Sequence, residues 1–198
     1  MSIGRERNDL DALRREAWAL IVAAVTDARA PFHTPTVATT DGAGAPRLRT
    51  VVLRAADAAA GTVRFHTDLR SAKAGELVRD PRVAVHFFDP VRKVQVQLAG
   101  TAVMAGIADE DGRSAWETAR PSSRTAYGVM PGPGTPIAGG GDYRLPGTAA
   151  EIAVGAAHFG AVTVTAARLD WLSLDATGHR RARFVRAATT WQGTWLVP

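Results

Sequence analysis

Between Arg47 and Gly100 the sequence passes through four strand-like runs with one short helix among them, and this succession limits the fold more than any other feature. The runs are Arg47–Arg54, Thr62–Thr67, Arg82–Phe88 and Lys93–Met104. In the last of them Val94, Val96 and Leu98 alternate with Lys93, Gln95 and Gln97, the period-2 pattern of a strand with one apolar and one polar face. The polar face fronts either water or a polar ligand. The links AADAAAG and DPVR are short, so neighbouring runs read as hairpins or a meander. A further strand is expected over residues 34–41, closed by the turn DGAGAP, and others over 159–169, 181–186 and 191–197. Seven or eight strands in hairpin-like succession predict a mainly β protein, an antiparallel β-barrel with helical additions. They do not suit an alternating βαβ architecture.

The helices are additions to that sheet. Leu10, Leu13, Ala17, Leu20, Ile21 and Ala24 recur at helical spacing, which predicts an amphipathic helix over about 7–29, stopped by Pro31. Ser71 is placed to cap a second helix over AKAGELVRD, which Pro81 ends. Residues 107–127 read as one or two short helices interrupted by Pro121. Residues 128–147 are rich in Gly and Pro and predict a long flexible loop, of a length that is usually mobile or functional. No internal repeat or composition shift marks a boundary, so residues 1–198 are expected to form a single domain.

Bulk properties remove several function classes. No run approaches the roughly 20 apolar residues of a membrane span. The charged N-terminus lacks the apolar centre of a secretory signal, so a cytoplasmic protein is expected. Cysteine is absent, which excludes disulfides, thiolate catalysis and thiolate metal sites. The net charge is +5, but basic residues are scattered and interleaved with acids, a poor pattern for nucleic acid and a better one for a small anionic ligand. The five histidines, at 33, 66, 86, 158 and 179, fall in no HxH or HExxH spacing, so no metal site is expected. GxSxG, GxGxxG and P-loop motifs are also missing.

A different anion-binding pattern is present. Lys73 stands in the first turn of the second helix, where backbone N–H groups and the helix dipole favour an anion. Ser71 adds a hydroxyl and Arg70 a second charge, while Arg49 and Arg54 bracket the apolar run between them.

These residues stand in a longer constellation: RTVVLR at 49–54, FHT at 65–67, RSAK at 70–73, DPRVAVHFF at 80–88 and QVQLAG at 95–100. With FGAVTVTAARLDWLSL, RARF and the closing WQGTWLVP, the order and spacing resemble the pyridoxamine 5′-phosphate oxidase-like family over about residues 35–198. Those flavoproteins are built on the FMN-binding split barrel, an antiparallel, Greek-key-like fold. The resemblance implies FMN as cofactor, with its phosphate held by Arg49 and Lys73, helped by Thr67 and by Arg70 or Ser71. It sets the backbone of Thr50, Val51, Val52 and Leu53 along the flavin ring, beside Arg54 and His66. It adds Gln95 from a second subunit, with Trp171 and Arg183 as further flavin contacts. A homodimer with flavin at the interface follows from the family pattern.

The cofactor half of the pattern is retained and the substrate half altered. Ala72 stands where the family has Arg, with Arg70 two positions earlier, and Arg54 replaces a Lys. His179-Arg180-Arg181 replaces Arg-Leu-His, and the family's Gln-Ser flavin contact falls in the Gly/Pro loop without a match. The expected function is an FMN-dependent oxidoreductase of unidentified substrate, with no catalytic acid or base assigned. A genuine pyridoxamine/pyridoxine 5′-phosphate oxidase is the alternative, using Arg120, Ser123, His179 and Arg181 around the substrate phosphate. A non-catalytic flavin- or haem-binding module is a third reading, and a deazaflavin would suit a related barrel as well as FMN.

Overall fold

The computed structural model describes residues 9–198. The first helix, α1, runs over Leu10–Ala23, started by Asp9, whose carboxylate accepts from the Ala12 N–H at 3.0 Å. Residues 7 and 8 of the expected helix lie outside the described residues. Its C-terminus comes earlier than 29, because side chains there bond to the backbone instead of continuing the helix. Asp27 accepts from the Arg29 N–H at 2.9 Å, and the His33 ring N–H donates to the Ala24 carbonyl at 2.6 Å. The apolar stripe buries Ala17, Trp18 and Ile21, as its spacing required.

Among the described residues nine strands form one mainly antiparallel sheet, one or two more than the sequence predicted. They are β1 (Thr36–Thr40), β2 (Pro46–Thr50), β3 (Leu53–Asp57), β4 (Thr62–Asp68), β5 (Arg82–Asp89), β6 (Val94–Gly106), β7 (Phe159–Ser173), β8 (Arg180–Ala187) and β9 (Thr190–Leu196). The order is β2-β1-β5-β6-β7-β4-β3, with β8 beside β7 and β9 beside β8. The extra strand arises because the single run expected over Arg47–Arg54 is two strands. Residues 46–50 pair with β1, in register Val37↔Arg49, whereas 53–57 pair with β4 in register Leu53↔Phe65. Val51 and Val52 lie between the ladders, the Val51 N–H donating to the Pro35 carbonyl at 2.9 Å. The alanine-rich link is partly strand as well. Its turn is fixed by the Asp57 carboxylate, which accepts from the Ala59 and Ala60 N–H groups at 2.8 and 2.9 Å.

The chain divides into two compact units: residues up to 65 with 82–102 and 163–198, and residues 66–81 with 103–162. In the first, alternating side chains build the core. Val37, Val85, Phe87, Val96 and Leu98 are buried, while Gln95 and Gln97 are half-buried on the other face of β6, as the alternation predicted. The second holds α2 (Ala72–Arg79), α3 (Glu110–Thr118), the single turn α4 (Pro121–Arg124) and α5 (Ala149–Val154). Its centre is Phe159, buried with Ala115 and Ala161 and covered by Ile107, Trp116 and Tyr127.

Helix α5 was not expected, though Thr148 and Glu151 form a capping box. The Glu151 carboxylate accepts from Arg144, from the Gly147 N–H at 2.6 Å and from the Thr148 N–H at 3.2 Å. The Arg144 hydrogen bond, then the Gly147 N–H, hold its pKa below the ordinary value of 4.5. A carboxylate with a depressed folded pKa contributes stability that is present above the unfolded pKa and lost as pH falls through the folded one. Amide-exchange protection at Gly147 and Thr148 is therefore expected to fall on acidification through Glu151's lowered pKa. Protection that stays constant while Glu151 protonates contradicts this cap.

Candidate functional site

The end of β4 feeds a tight turn into α2. Asp68 accepts the Arg70 N–H on its carboxylate at 2.8 Å and the Ser71 N–H on its carbonyl at 3.0 Å. Ser71, the N-cap, accepts from the Ala74 N–H at 3.4 Å and donates its hydroxyl to the Asp68 carbonyl at 2.7 Å. This turn delivers Lys73 to the first turn of α2. There the side chains meet a cavity of about 360 Å³, lined by His66, Thr67, Asp68, Ser71 and Lys73 together with Ala126, Tyr127, Val129 and Pro133. Four residues expected at the cofactor (His66, Thr67, Ser71 and Lys73) thus share one cavity wall.

Aromatic edges support His66 and Tyr127 of this lining. Phe159 meets His66 at 4.7 Å, Tyr127 at 5.1 Å and Trp116 at 5.4 Å between ring centroids, all edge-to-face. The His158 ring N–H donates to the Tyr127 carbonyl at 2.9 Å. Thr67 is only 3% exposed, with its hydroxyl 3.2 Å from that of Ser71.

The electrostatics favour an anion. The single carboxylate of the lining, Asp68, is paired with Arg70 through Nε at 3.0 Å and Nη2 at 2.7 Å. That hydrogen bond raises the Arg70 pKa against the opposing effect of burial. With Asp68 neutralised in this way, the ammonium of Lys73, the imidazole of His66 and two hydroxyls set the character of the cavity. This donor set fits a phosphate monoester at a helix start. Arg70, expected to share in phosphate binding, instead directs its outer nitrogens to the Val129 and Tyr127 carbonyls, both at 3.1 Å.

The remaining candidates belong to the first unit or stand apart from the cavity. Arg49, half-buried on β2, donates through Nη1 to the Thr39 hydroxyl and to the Arg47 carbonyl at 3.2 Å. Thr50 ends β2, Val51 and Leu53 turn their side chains into the core, and Val52 is half-buried between the ladders. Arg54 sits at the register shift between Leu53 and Ala55, and Gln95 lies opposite Phe88. Trp171 is buried on β7 opposite Ala182, and Arg183 lies opposite Asp170.

Asp170 is the residue that sequence reasoning missed. Its nearly buried carboxylate holds Arg168 at 2.8 Å, Arg183 at 2.9 Å and Arg181 at 3.8 Å. Arg181 and Arg183, assigned from sequence to substrate and cofactor respectively, therefore converge on one acid. His179 is exposed before β8, Arg120 is exposed at the start of α4, and Ser123 is half-buried within it. Among the described residues no group of three or more His, Cys, Asp or Glu side chains is placed to hold a metal ion, and no helix is long and apolar enough to cross a membrane.

Residues 15–106 match the family model described as "Pyridoxamine 5'-phosphate oxidase, FMN-binding domain". Among solved structures, a pyridoxamine 5′-phosphate oxidase-related, FMN-binding protein from Nostoc punctiforme PCC 73102 superposes with a TM-score of 0.73. It is 22% identical, with 93% of this chain and 97% of that chain covered. PhzG from Burkholderia lata 383, solved in complex with tetrahydrophenazine-1-carboxylic acid, gives a TM-score of 0.67 at 18% identity, over 95% of this chain and 91% of that one. No curated protein matches the chain in sequence. The strand order, the matched segment and the superpositions agree: residues 15–106 are similar to the FMN-binding domain of pyridoxamine 5′-phosphate oxidase, and the chain shares the fold of FMN-binding proteins related to it.

Proposed function

We propose that the protein is a cytoplasmic, homodimeric FMN-dependent oxidoreductase that holds the cofactor's phosphate in the cavity between His66 and Lys73. The observation that carries this reading is the cavity lining: a Lys in the first turn of a capped helix, two hydroxyls and an imidazole, with the one acid neutralised by Arg70. FMN, when bound, supplies the redox chemistry. The protein's part is to bind and orient. Lys73 offers charge to the phosphate, Thr67 a hydroxyl, and Tyr127 and Val129 an apolar wall that excludes water. Roles for Arg49, Thr50–Leu53, Arg54, Gln95, Trp171 and Arg183 toward the flavin rest on the sequence resemblance and form part of the same proposal.

A two-fold partner has support in exposed apolar side chains on the sheet, Leu48 on edge strand β2 at 69% and Phe88 on β5 at 41% exposure. Sedimentation at two protein concentrations tests this, with a monomer at both overturning it.

The purified full chain is expected to be yellow and to release FMN, and not FAD, on denaturation. A colourless protein that takes up no added FMN removes the proposal. With FMN bound, aerobic incubation with pyridoxamine 5′-phosphate, and in parallel with a partly reduced aromatic carboxylic acid, surveys the substrate class. The altered His179-Arg180-Arg181 stretch predicts weak or no turnover of pyridoxamine 5′-phosphate.

A further inference from the structure

The side chain of Arg70 is saturated. Its Nε donates to Asp68 Oδ1 at 3.0 Å, Nη2 to Asp68 Oδ2 at 2.7 Å and to the Tyr127 carbonyl at 3.1 Å, and Nη1 to the Val129 carbonyl at 3.1 Å and the Met130 sulfur at 3.3 Å. A guanidinium has five N–H groups, and here each has its acceptor within the protein. We infer that Arg70 is a positioning residue, a latch that fastens the Tyr127–Met130 segment to Asp68 and so builds one wall of the cofactor cavity, and that it does not itself hold the phosphate.

The placement of the segment depends on this fork. Residues 129–147 have no helix and a single bridge, Met130↔Arg144, yet Val129 and Pro133 line the cavity beside Tyr127. Side chains from residues 57 to 60 positions away must therefore hold the wall in place. The latch is doubled at Tyr127, whose carbonyl accepts both Arg70 Nη2 and the His158 ring, while the Leu69 N–H donates to the His158 carbonyl at 2.7 Å. Gly132 lies flat against the guanidinium: a Cβ there would stand 3.3 Å from Arg70 Cδ and Nε. The planar fork meets Asp68 with two nitrogens and the carbonyls with the remaining hydrogens, a geometry that a Lys ammonium does not reproduce.

The consequence for the site rests on the FMN reading, but the latch itself does not, and the test separates them. Full-length R70Q, R70K, D68N and the R70Q/D68N double variant are compared with wild type, first without flavin and then saturated with FMN. In the flavin-free protein, limited proteolysis is expected to cut within residues 128–147 roughly tenfold faster in each variant, the change that follows from losing charge-assisted hydrogen bonds. In the FMN-loaded protein the dissociation rate is expected to rise by a similar factor of about ten in R70Q and D68N. The double variant should be no worse than either single one, because both break the same link. R70K should not rescue.

D68N carries the decisive sign. If Arg70 were a phosphate ligand restrained by Asp68, removing that carboxylate's charge would release it and FMN would dissociate more slowly. Slower dissociation in D68N, or a segment as resistant as wild type in both R70Q and D68N, overturns the latch. If R70Q fails to fold, the near-isosteric D68N alone decides. A chain that binds no FMN in any form, yet opens at 128–147 in both variants, upholds the latch and removes only the proposed function.

Discussion

The Lys73→Ala chain is expected to fold as wild type does and to lose its flavin during gel filtration. Ser71 keeps the N-cap of α2 and Ala is the most favourable residue within a helix, so the substitution leaves the scaffold in place. What it removes is the ammonium facing the cavity. A hydrogen bond to a charged group contributes about 1.5–3 kcal/mol, roughly ten- to a hundredfold in Kd. The loss should be specific to the phosphate: riboflavin, which lacks it, should bind the variant and the wild type equally weakly when followed by quenching of flavin fluorescence. Affinity for FMN that is unchanged by Lys73→Ala would put the phosphate elsewhere. A parallel loss for riboflavin would mean that Lys73 shapes the cavity and does not charge it.

That Lys73 was legible in the sequence follows from the local nature of its signals. A capping Ser two residues before a Lys is contained within one turn of chain, and the alternation of Val96 and Leu98 with Gln95 and Gln97 is a property of one strand. The split at Val51–Val52 had no such signature. An unbroken apolar run shows that a strand forms, but not that its halves pair with β1 and β4 respectively. Alanine is a poor strand former, yet Ala55 and Ala56 extend β3 because β4 supplies the ladder. Asp170 acquires its role through the register that sets Arg183 opposite it and brings Arg181 near, adding to Arg168 two residues earlier on the same strand. The same holds for Arg70. Its neighbour Asp68 is visible two residues away, but the carbonyls that complete its shell, Tyr127 and Val129, stand where the expected short helices of 107–127 give way to the Gly/Pro loop, 57 and 59 residues further along the chain. Helix α5 is the different case, since Thr148 and Glu151 carried a readable start signal.

Gly100→Ala is expected to lower stability by about 3 kcal/mol or more, at the upper end of what overpacking costs. Gly100 lies on β6 where the strand crosses β7 at very short range. A Cβ there would fall 1.9 Å from the Thr165 carbonyl oxygen, 2.9 Å from its carbon and 3.0 Å from the Ala166 Cα. All three are backbone atoms, so no side-chain rotation relieves the clash and the strands themselves must part. They are flanked by Leu98, Val164 and Ala166, each fully buried, so parting them opens the core. The cost is steric, not conformational, because the Gly100 backbone does not occupy the left-handed region. Gly75 provides the internal control: it lies within α2 with nothing inside 4 Å of its would-be Cβ, and Gly75→Ala should stabilise by about 0.5–1 kcal/mol. Urea unfolding of the three chains separates these effects. The midpoint should fall sharply for Gly100→Ala and rise slightly for Gly75→Ala, with the slope unchanged in both. A Gly100→Ala chain that unfolds at the wild-type midpoint would mean that β6 and β7 do not approach at this residue.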